Sequence, residues 1–212
     1  MRERNSSPLE GNGRSRHAAH ETELVTRLER LNRELAEANE VLARRVAALE
    51  RTALVDPLTG LGNRRRFEAA LGAELRRAFR TGAPLTLLVC DVDAMRRFNE
   101  RHGHAAGDAL LAELGRAARR TCRRGGDQAM RYDGDELAVL LCGAGRAEAS
   151  AFATRLLRET QSAPATLSVG GATFTGAGFC SPKLLAEQAH DALERARRAG
   201  GGCAHLVTFR ER

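Results

Sequence analysis

The chain has 212 residues, enough for one ordinary domain and an extension, and 42% of them are hydrophobic, enough for a real core. The formal charge of +7 is carried almost wholly by arginine, since Lys183 is the only lysine, and it suits an anionic ligand or a set of solvated helix faces. The N-terminus lacks an apolar leader segment and no run is long enough to span a bilayer, so the expectation is a soluble, cytoplasmic protein. Aromatic residues are scarce and the arginines follow no nucleic-acid motif spacing, which weighs against DNA or RNA as a partner. Cys90, Cys122, Cys142, Cys180 and Cys203 are scattered, odd in number and form no CxxC pair, so they read as free thiols in a reducing compartment.

In chain order, residues 1–20 are polar, aperiodic and rich in Gly, Ser and Arg, and are expected to be disordered. Across residues 21–55, Leu24, Leu28, Leu31, Leu35, Ala38, Leu42, Arg45 and Leu49 recur four and three apart. That spacing predicts a coiled-coil helix and a parallel homodimer, with a single amphipathic helix packed on its own domain as the alternative. The helix should stop before Asp56-Pro57, because a residue preceding proline avoids the α region.

Residues 56–212 are expected to form the main folded domain. A turn-rich stretch from Asp56 to Asn63 leads into a helix over 64–80 with Phe67, Leu71, Leu75 and Phe79 inward. Residues 85–93 form a continuous apolar run closing in two acids, which reads as a central strand ending at Asp91 and Asp93. A short helix through Arg96, Phe98 and Asn99 follows, then a break at His102-Gly103-His104 and a longer helix opening at Gly107-Asp108. Asp133-Gly134 between two apolar runs predicts a two-residue hairpin turn, with Asp135, Glu136 and a buried strand after it. A helix over 147–160, a strand over 165–172, a helix over 183–199 and a strand over 203–209 complete the pattern. Strands alternating with helices around one hairpin predict an α/β fold, an α+β sandwich with a mixed sheet of the ferredoxin or palm type.

If the strand ending at Asp91 and the strand beginning at Asp135-Glu136 are neighbours, three carboxylates meet at one end of the sheet. Mg²⁺ is held by one or two carboxylates with substrate phosphates, and two such ions activate an attacking hydroxyl. Asp93 by itself reads as a solvated strand end.

Several stretches together resemble the GGDEF family of diguanylate cyclases: Asp56-Pro-Leu-Thr-Gly-Leu-Gly-Asn-Arg-Arg65, Asp91-Val-Asp-Ala-Met-Arg-Arg-Phe-Asn99, Gly103-His104-Ala-Ala-Gly107-Asp108, Arg131-Tyr-Asp-Gly-Asp-Glu-Leu137, Leu167-Ser-Val-Gly170 and the run from Ala192 to Arg197. The resemblance implies that two GTP are condensed into cyclic di-GMP with release of pyrophosphate, each domain of an antiparallel pair holding one GTP. It puts Asp91, the Val92 carbonyl, Asp135 and Glu136 at metal-ligand positions for Mg²⁺ or Mn²⁺, and Asp135 also at the proton acceptor's position. Asn99 and Asp108 take the guanine-reading positions, with His104 and Gly134 beside the substrate. Arg96 and Arg197 stand where the family has phosphate-facing lysines. Arg124-Gly-Gly-Asp127 matches the family's inhibitory product site, with a solvated Arg–Asp turn as the alternative.

The chain departs from the family pattern at several places. Asp133 replaces the first glycine of the hairpin motif and Leu137 its phenylalanine. Met95 replaces a phenylalanine, His190 an aspartate, Glu194 a tyrosine, and Gly201 an arginine. The first expectation is therefore a dimeric, product-inhibited diguanylate cyclase. The alternative is a domain disabled by Asp133 that binds cyclic di-GMP as an effector.

Overall fold

The computed structural model describes residues 11–52 and 54–209, with side chains in the first stretch described at 23–24, 27–46 and 49. The chain divides into two compact units, Met1–Ala53 and Leu54–Arg212.

The first unit is one helix, α1, Gly11–Thr52. It begins before the expected start at Glu21, so residues 11–20 are helical rather than disordered, while residues 1–10 lie outside the described residues. No Gly or Pro interrupts residues 14–52, and the helix stops ahead of Asp56-Pro57 as expected. Leu24, Leu28, Leu31, Leu35, Leu42 and Leu49 are 46–70% exposed, an apolar stripe interrupted by Arg45. Ion pairs Arg30–Glu34 and Arg44–Glu40, each one turn apart, mark the solvated faces.

The second unit is a five-stranded sheet in the order β2-β3-β1-β4-β5. Its strands are β1 (Leu85–Val92), β2 (Gln128–Asp133), β3 (Glu136–Cys142), β4 (Leu167–Phe174) and β5 (Ala204–Thr208). β1 lies in the centre, antiparallel to β3 and β4, and β4–β5 is the one parallel pair, so the sheet is mixed. β1 and β4 are buried along their whole length, mostly by apolar side chains, with Thr86, Asp91, Ser168 and Thr173 as their buried polar residues.

Side chains alternate across β1 and define two layers. Leu88, Cys90 and Val92 pack with Leu110, Leu114, Phe152 and Leu156 of α4 (His104–Thr121) and α5 (Arg146–Glu159). Leu85, Leu87 and Val89 pack with Phe67, Leu71 and Leu75 of α2 (Arg64–Thr81) and with Leu185, Ala189 and Leu193 of α6 (Pro182–Arg198). Helices therefore cover both faces of the sheet, in the expected α+β sandwich.

α4 opens at His104, earlier than Gly107-Asp108, because the break is made by Gly103 alone at φ 84°. β4 runs on to Phe174 because Thr173 and Phe174 still pair with Thr86 and Leu85. α6 lies directly on β4 at Gly170, where a Cβ would come within 2.2 Å of Leu193 N and 2.3 Å of Ala189 O. Only glycine fits there, and that close approach fixes how deeply α6 sits.

Candidate active site

The site lies where β1 and β3 present the same end of the sheet. Asp91 is the register partner of Glu136, so the two residues share one face. Asp91 follows Leu87 and Val89 in the alternation, which turns it toward α6. The hairpin differs from expectation by one residue: Asp133 pairs with Glu136, so the two loop residues are Gly134 and Asp135. Gly134 takes the first central position at φ 27°, and a register irregularity between Arg131 and Asp133 shifts the turn. Asp135 consequently sits on the loop itself, half-buried, rather than at the head of β3.

α6 supplies a basic side chain to each of the two strand-end acids. Arg197 Nη2 donates to Asp91 Oδ2, and Nη1 donates to Glu194 Oε1 at 2.8 Å. His190 Nε2 lies 3.3 Å from Glu136 Oε2, and that hydrogen bond, opposed by burial, holds the His190 imidazole above its ordinary range. Asp91 is only 4% exposed, and its Oδ1 is buried without a hydrogen-bond partner.

That orphaned oxygen bears on whether a cation fits. Among the described residues no three His, Cys, Asp or Glu side chains gather into a cage of their own. The expected meeting of three carboxylates is therefore incomplete: Asp91 and Glu136 share a face, while Asp135 stands in the turn. A hard dication still suits such a site, since Mg²⁺ takes one or two carboxylates, a backbone carbonyl and substrate oxygens. Asp91 Oδ1 is the unpartnered oxygen such an ion would meet.

Ala94, immediately after β1, is the one non-glycine residue with positive φ (55°) among the described residues. This left-handed step launches α3 (Met95–His102), which carries Asn99. Asn99 Oδ1 is also buried and unpartnered. A Cβ on Gly107 would lie 2.0 Å from it, so the glycine on α4 is what leaves room for the Asn99 amide. Asp108 and His104, both exposed, sit on the first turns of α4 beside it. Arg96 does not join the group: its side chain is 92% exposed and donates to Glu100 at 3.0 Å.

Asp93 corrects the expectation of a solvated strand end. Its carboxylate accepts from Thr166 Oγ1 (2.7 Å), Ser168 Oγ (2.6 Å) and Gly202 N–H (2.8 Å). It ties β1, the start of β4 and the α6–β5 loop together. A Cβ on Gly201 would meet this carboxylate at 2.8 Å, so position 201 is closed to an arginine without rearrangement.

Asp133 is exposed and folds back on its own turn, with Oδ1 accepting from Gly134 N–H at 3.1 Å. Its Oδ2 lies 3.9 Å from Arg64 Nη1, and the Arg64 guanidinium also rides over the Tyr132 ring at 5.1 Å. Arg131, which the sequence reading left without a role, braces the hairpin from below. Nε donates to Gly134 O at 2.8 Å and Nη1 to Asp56 Oδ2 at 3.2 Å. Burial would raise the Asp56 pKa, but hydrogen bonds from Thr59 and the Arg131 charge outweigh it and hold the carboxyl below its usual range.

Arg124 and Asp127 form a closed turn just before β2, at the end of that strand opposite the Gly134-Asp135 turn. Asp127 Oδ2 accepts from Arg124 N–H at 3.3 Å, and Asp127 N–H donates to Arg124 O at 3.0 Å. A cavity of about 240 Å³ beside it is lined by Arg123, Arg124, Asp127, Glu148, Phe152 and Arg155. Asp127 Oδ1 and Arg155 Nε are both buried and unpartnered. Arg155 escaped the sequence reading because it lies on α5, across the hairpin, and only tertiary packing brings it to this turn. The cysteines are all free, and burial pushes the Cys90, Cys122, Cys142 and Cys180 thiols up to about 12. Among the described residues no helix is long and apolar enough to cross a membrane.

Residues 53–203 match the sequence profile described as diguanylate cyclase, GGDEF domain. The chain belongs to the GGDEF family. Diguanylate cyclase DgcS of Shewanella oneidensis is 33% identical over 158 residues, covering 73% of this chain and 53% of its own. This GGDEF chain thus spans about half the length of that relative. In structure it is similar to the diguanylate cyclase SiaD of Pseudomonas aeruginosa, solved in complex with its activator SiaC, at a TM-score of 0.68 and 26% identity. That match covers 93% of this chain and 77% of SiaD. The coiled coil and GGDEF domain of DgcB from Caulobacter crescentus, solved with c-di-GMP, matches at a TM-score of 0.66 and 25% identity, over 84% of this chain and 97% of that one.

Proposed function

We propose that this GGDEF chain is a diguanylate cyclase that condenses two GTP into cyclic di-GMP. In each half-reaction the 3′-hydroxyl of one GTP attacks the α-phosphorus of the other. A phosphodiester bond forms, the α–β phosphoanhydride bond breaks, and pyrophosphate leaves. The observation that carries the reading is the strand-end pairing of Asp91 with Glu136, with one Asp91 oxygen buried and unpartnered. Asp91, the Val92 carbonyl, Asp135 and Glu136 would hold Mg²⁺ or Mn²⁺, which when bound neutralises triphosphate charge and polarises the reacting oxygens. Asp135, free of the ladder on its turn, accepts the 3′-hydroxyl proton. Asn99 and Asp108 read the guanine edge, the buried Asn99 Oδ1 serving as acceptor for its N–H groups. His104 and the Gly134 backbone line the substrate and Arg197 meets the phosphates, while Arg96, turned to Glu100 without nucleotide, reaches them only by leaving that ion pair.

A single domain holds one GTP, so turnover needs two copies. The exposed leucine stripe of α1 supports a parallel coiled-coil homodimer, and the DgcB structure, described as a coiled coil and GGDEF domain, supports a coiled coil in that stretch. Product inhibition is assigned to Arg124 and Asp127, with Arg155 added because its unpartnered Nε lines the same cavity. GTP as substrate places the domain on the cytoplasmic side. The purified protein with GTP and Mg²⁺ should release cyclic di-GMP and pyrophosphate in a 1:2 ratio by the stoichiometry above. Absence of product from both the wild type and Asp133→Gly would refute the enzyme reading.

Asp133 favours a second reading, in which the extra charge beside the turn has stopped catalysis and the Arg124 turn binds cyclic di-GMP as an effector. Calorimetry separates the two: binding that vanishes in Arg124→Ala, without turnover, supports the effector.

A further inference from the structure

The helix α6 places its Arg197 guanidinium on Asp91, the buried acid at the end of the central strand. A carboxylate 4% exposed needs a counter-charge, and Arg197 supplies it on Oδ2 while Oδ1 stays unpartnered. The same guanidinium reaches Glu194 one turn back on α6, at 2.8 Å. A planar fork can bridge two carboxylates in this way, whereas the ammonium of a lysine is a point charge on a flexible stem. The guanidinium and one of its two carboxylates depart from the family pattern, with Arg197 and Glu194 where the family resemblance places lysine and tyrosine.

We propose that Arg197 is a placeholder cation: it neutralises Asp91 in the unliganded protein, excludes a free divalent metal from that acid, and transfers to the triphosphate when nucleotide arrives. The physical ground is charge. A dication brought to Asp91 while the guanidinium is attached is repelled by it and finds one carboxylate oxygen already engaged. A triphosphate offers the guanidinium a more highly charged, bidentate partner, so leaving Asp91 is compensated only when nucleotide is present. Metal and nucleotide therefore enter together rather than in sequence. The inference rests on the reading of Asp91 as a metal ligand.

The test is Mn²⁺ binding to the full chain, read by electron paramagnetic resonance or calorimetry, with no turnover involved. Wild type without nucleotide should bind Mn²⁺ weakly, and a non-hydrolysable GTP analogue should tighten binding by about tenfold or more, the scale of one charge-assisted hydrogen bond. Arg197→Gln should bind free Mn²⁺ about tenfold more tightly than wild type, for the same reason. Arg197→Lys, which keeps the charge beside buried Asp91 and so protects folding, should fall between them. The placeholder role is overturned if neither variant tightens free Mn²⁺ binding, or if wild type binds Mn²⁺ equally well with and without nucleotide. Asp91→Asn separates the two claims. If it leaves Mn²⁺ binding unchanged, the metal assignment itself is wrong and the placeholder falls with it; if it removes binding while the Arg197 variants behave as wild type, only the placeholder falls.

Discussion

Gly170→Ala puts a single methyl group where the structure has no room for one. The added Cβ would stand 2.2 Å from Leu193 N, 2.3 Å from Ala189 O and 2.5 Å from Leu193 Cα. All three are backbone atoms of α6, so no side chain can swing aside. Restoring ordinary contact requires α6 to retreat from β4 by roughly 1 Å in an interior packed as densely as an organic crystal. Overpacking of this kind costs about 1–3 kcal/mol, and the rigid neighbour puts this case at the upper end. At about 2–4 °C per kcal/mol for a domain of this size, the melting midpoint should fall by about 6–12 °C. The same retreat carries His190 and Arg197 away from Glu136 and Asp91, so nucleotide binding should weaken more than a comparably destabilising core change does. The assay is a thermal melt paired with titration of a fluorescent GTP analogue, using Leu156→Ala in the opposite layer as the comparison. A midpoint within about 2 °C of wild type, below the shift from a 1 kcal/mol cost, would refute the close-packing argument. A loss of affinity no greater than that of Leu156→Ala would refute the coupling of α6 position to the site.

Gly107→Ala should act on the ligand more than on stability. Its Cβ meets Asn99 Oδ1 at 2.0 Å and forces the amide to turn. Loss of that acceptor should weaken GTP analogue binding by about tenfold, with unchanged binding as the disproof. Asp56→Asn should change the acid limb of stability. The Asp56 carboxyl is held below its usual range, so its contribution is present above the unfolded value near ~3.9 and is lost as pH falls through the lower folded value. The gap in urea midpoint between wild type and variant should be widest near neutrality and close below about pH 4; a constant gap would show that the Arg131 and Thr59 contacts do not act through charge. The double change Leu35→Asp and Leu42→Asp places charge in the middle of the α1 stripe. Sedimentation should then report a monomer and cyclic di-GMP formation should fall sharply, whereas an intact dimer would move the interface elsewhere.

Much of the candidate site was legible in the residues because its parts are short and local. The run ending in Asp91, the Asp-Gly-Asp-Glu turn and the Arg124-Gly-Gly-Asp127 turn each form within a few residues, and backbone sterics shape them whatever surrounds them. The register of the hairpin was not local in that sense. Pairing along β3 and the irregularity after Arg131 moved the turn by one residue and put Asp135 on the loop. Asp93 was read as a solvated strand end because the three donors that hold it come from Thr166, Ser168 and Gly202, far along the chain. Arg131 and Arg155 carry no local signal for the same reason: Asp56, which Arg131 meets, and the Arg124 turn, whose cavity Arg155 lines, come near them only after the sheet closes.

By itself, then, the order of residues determined the helix stripe, the central strand, the acids at its end and the family to which the domain belongs. These follow from periodicity, apolar runs and motifs in sequence order, all of which survive in an unfolded chain. The tertiary structure alone decided what each acid faces. Gly170 lets α6 press onto β4, and that contact sets His190 on Glu136 and Arg197 on Asp91. Charge pairing between residues on different elements depends on distance through space, and only the packed core sets that distance.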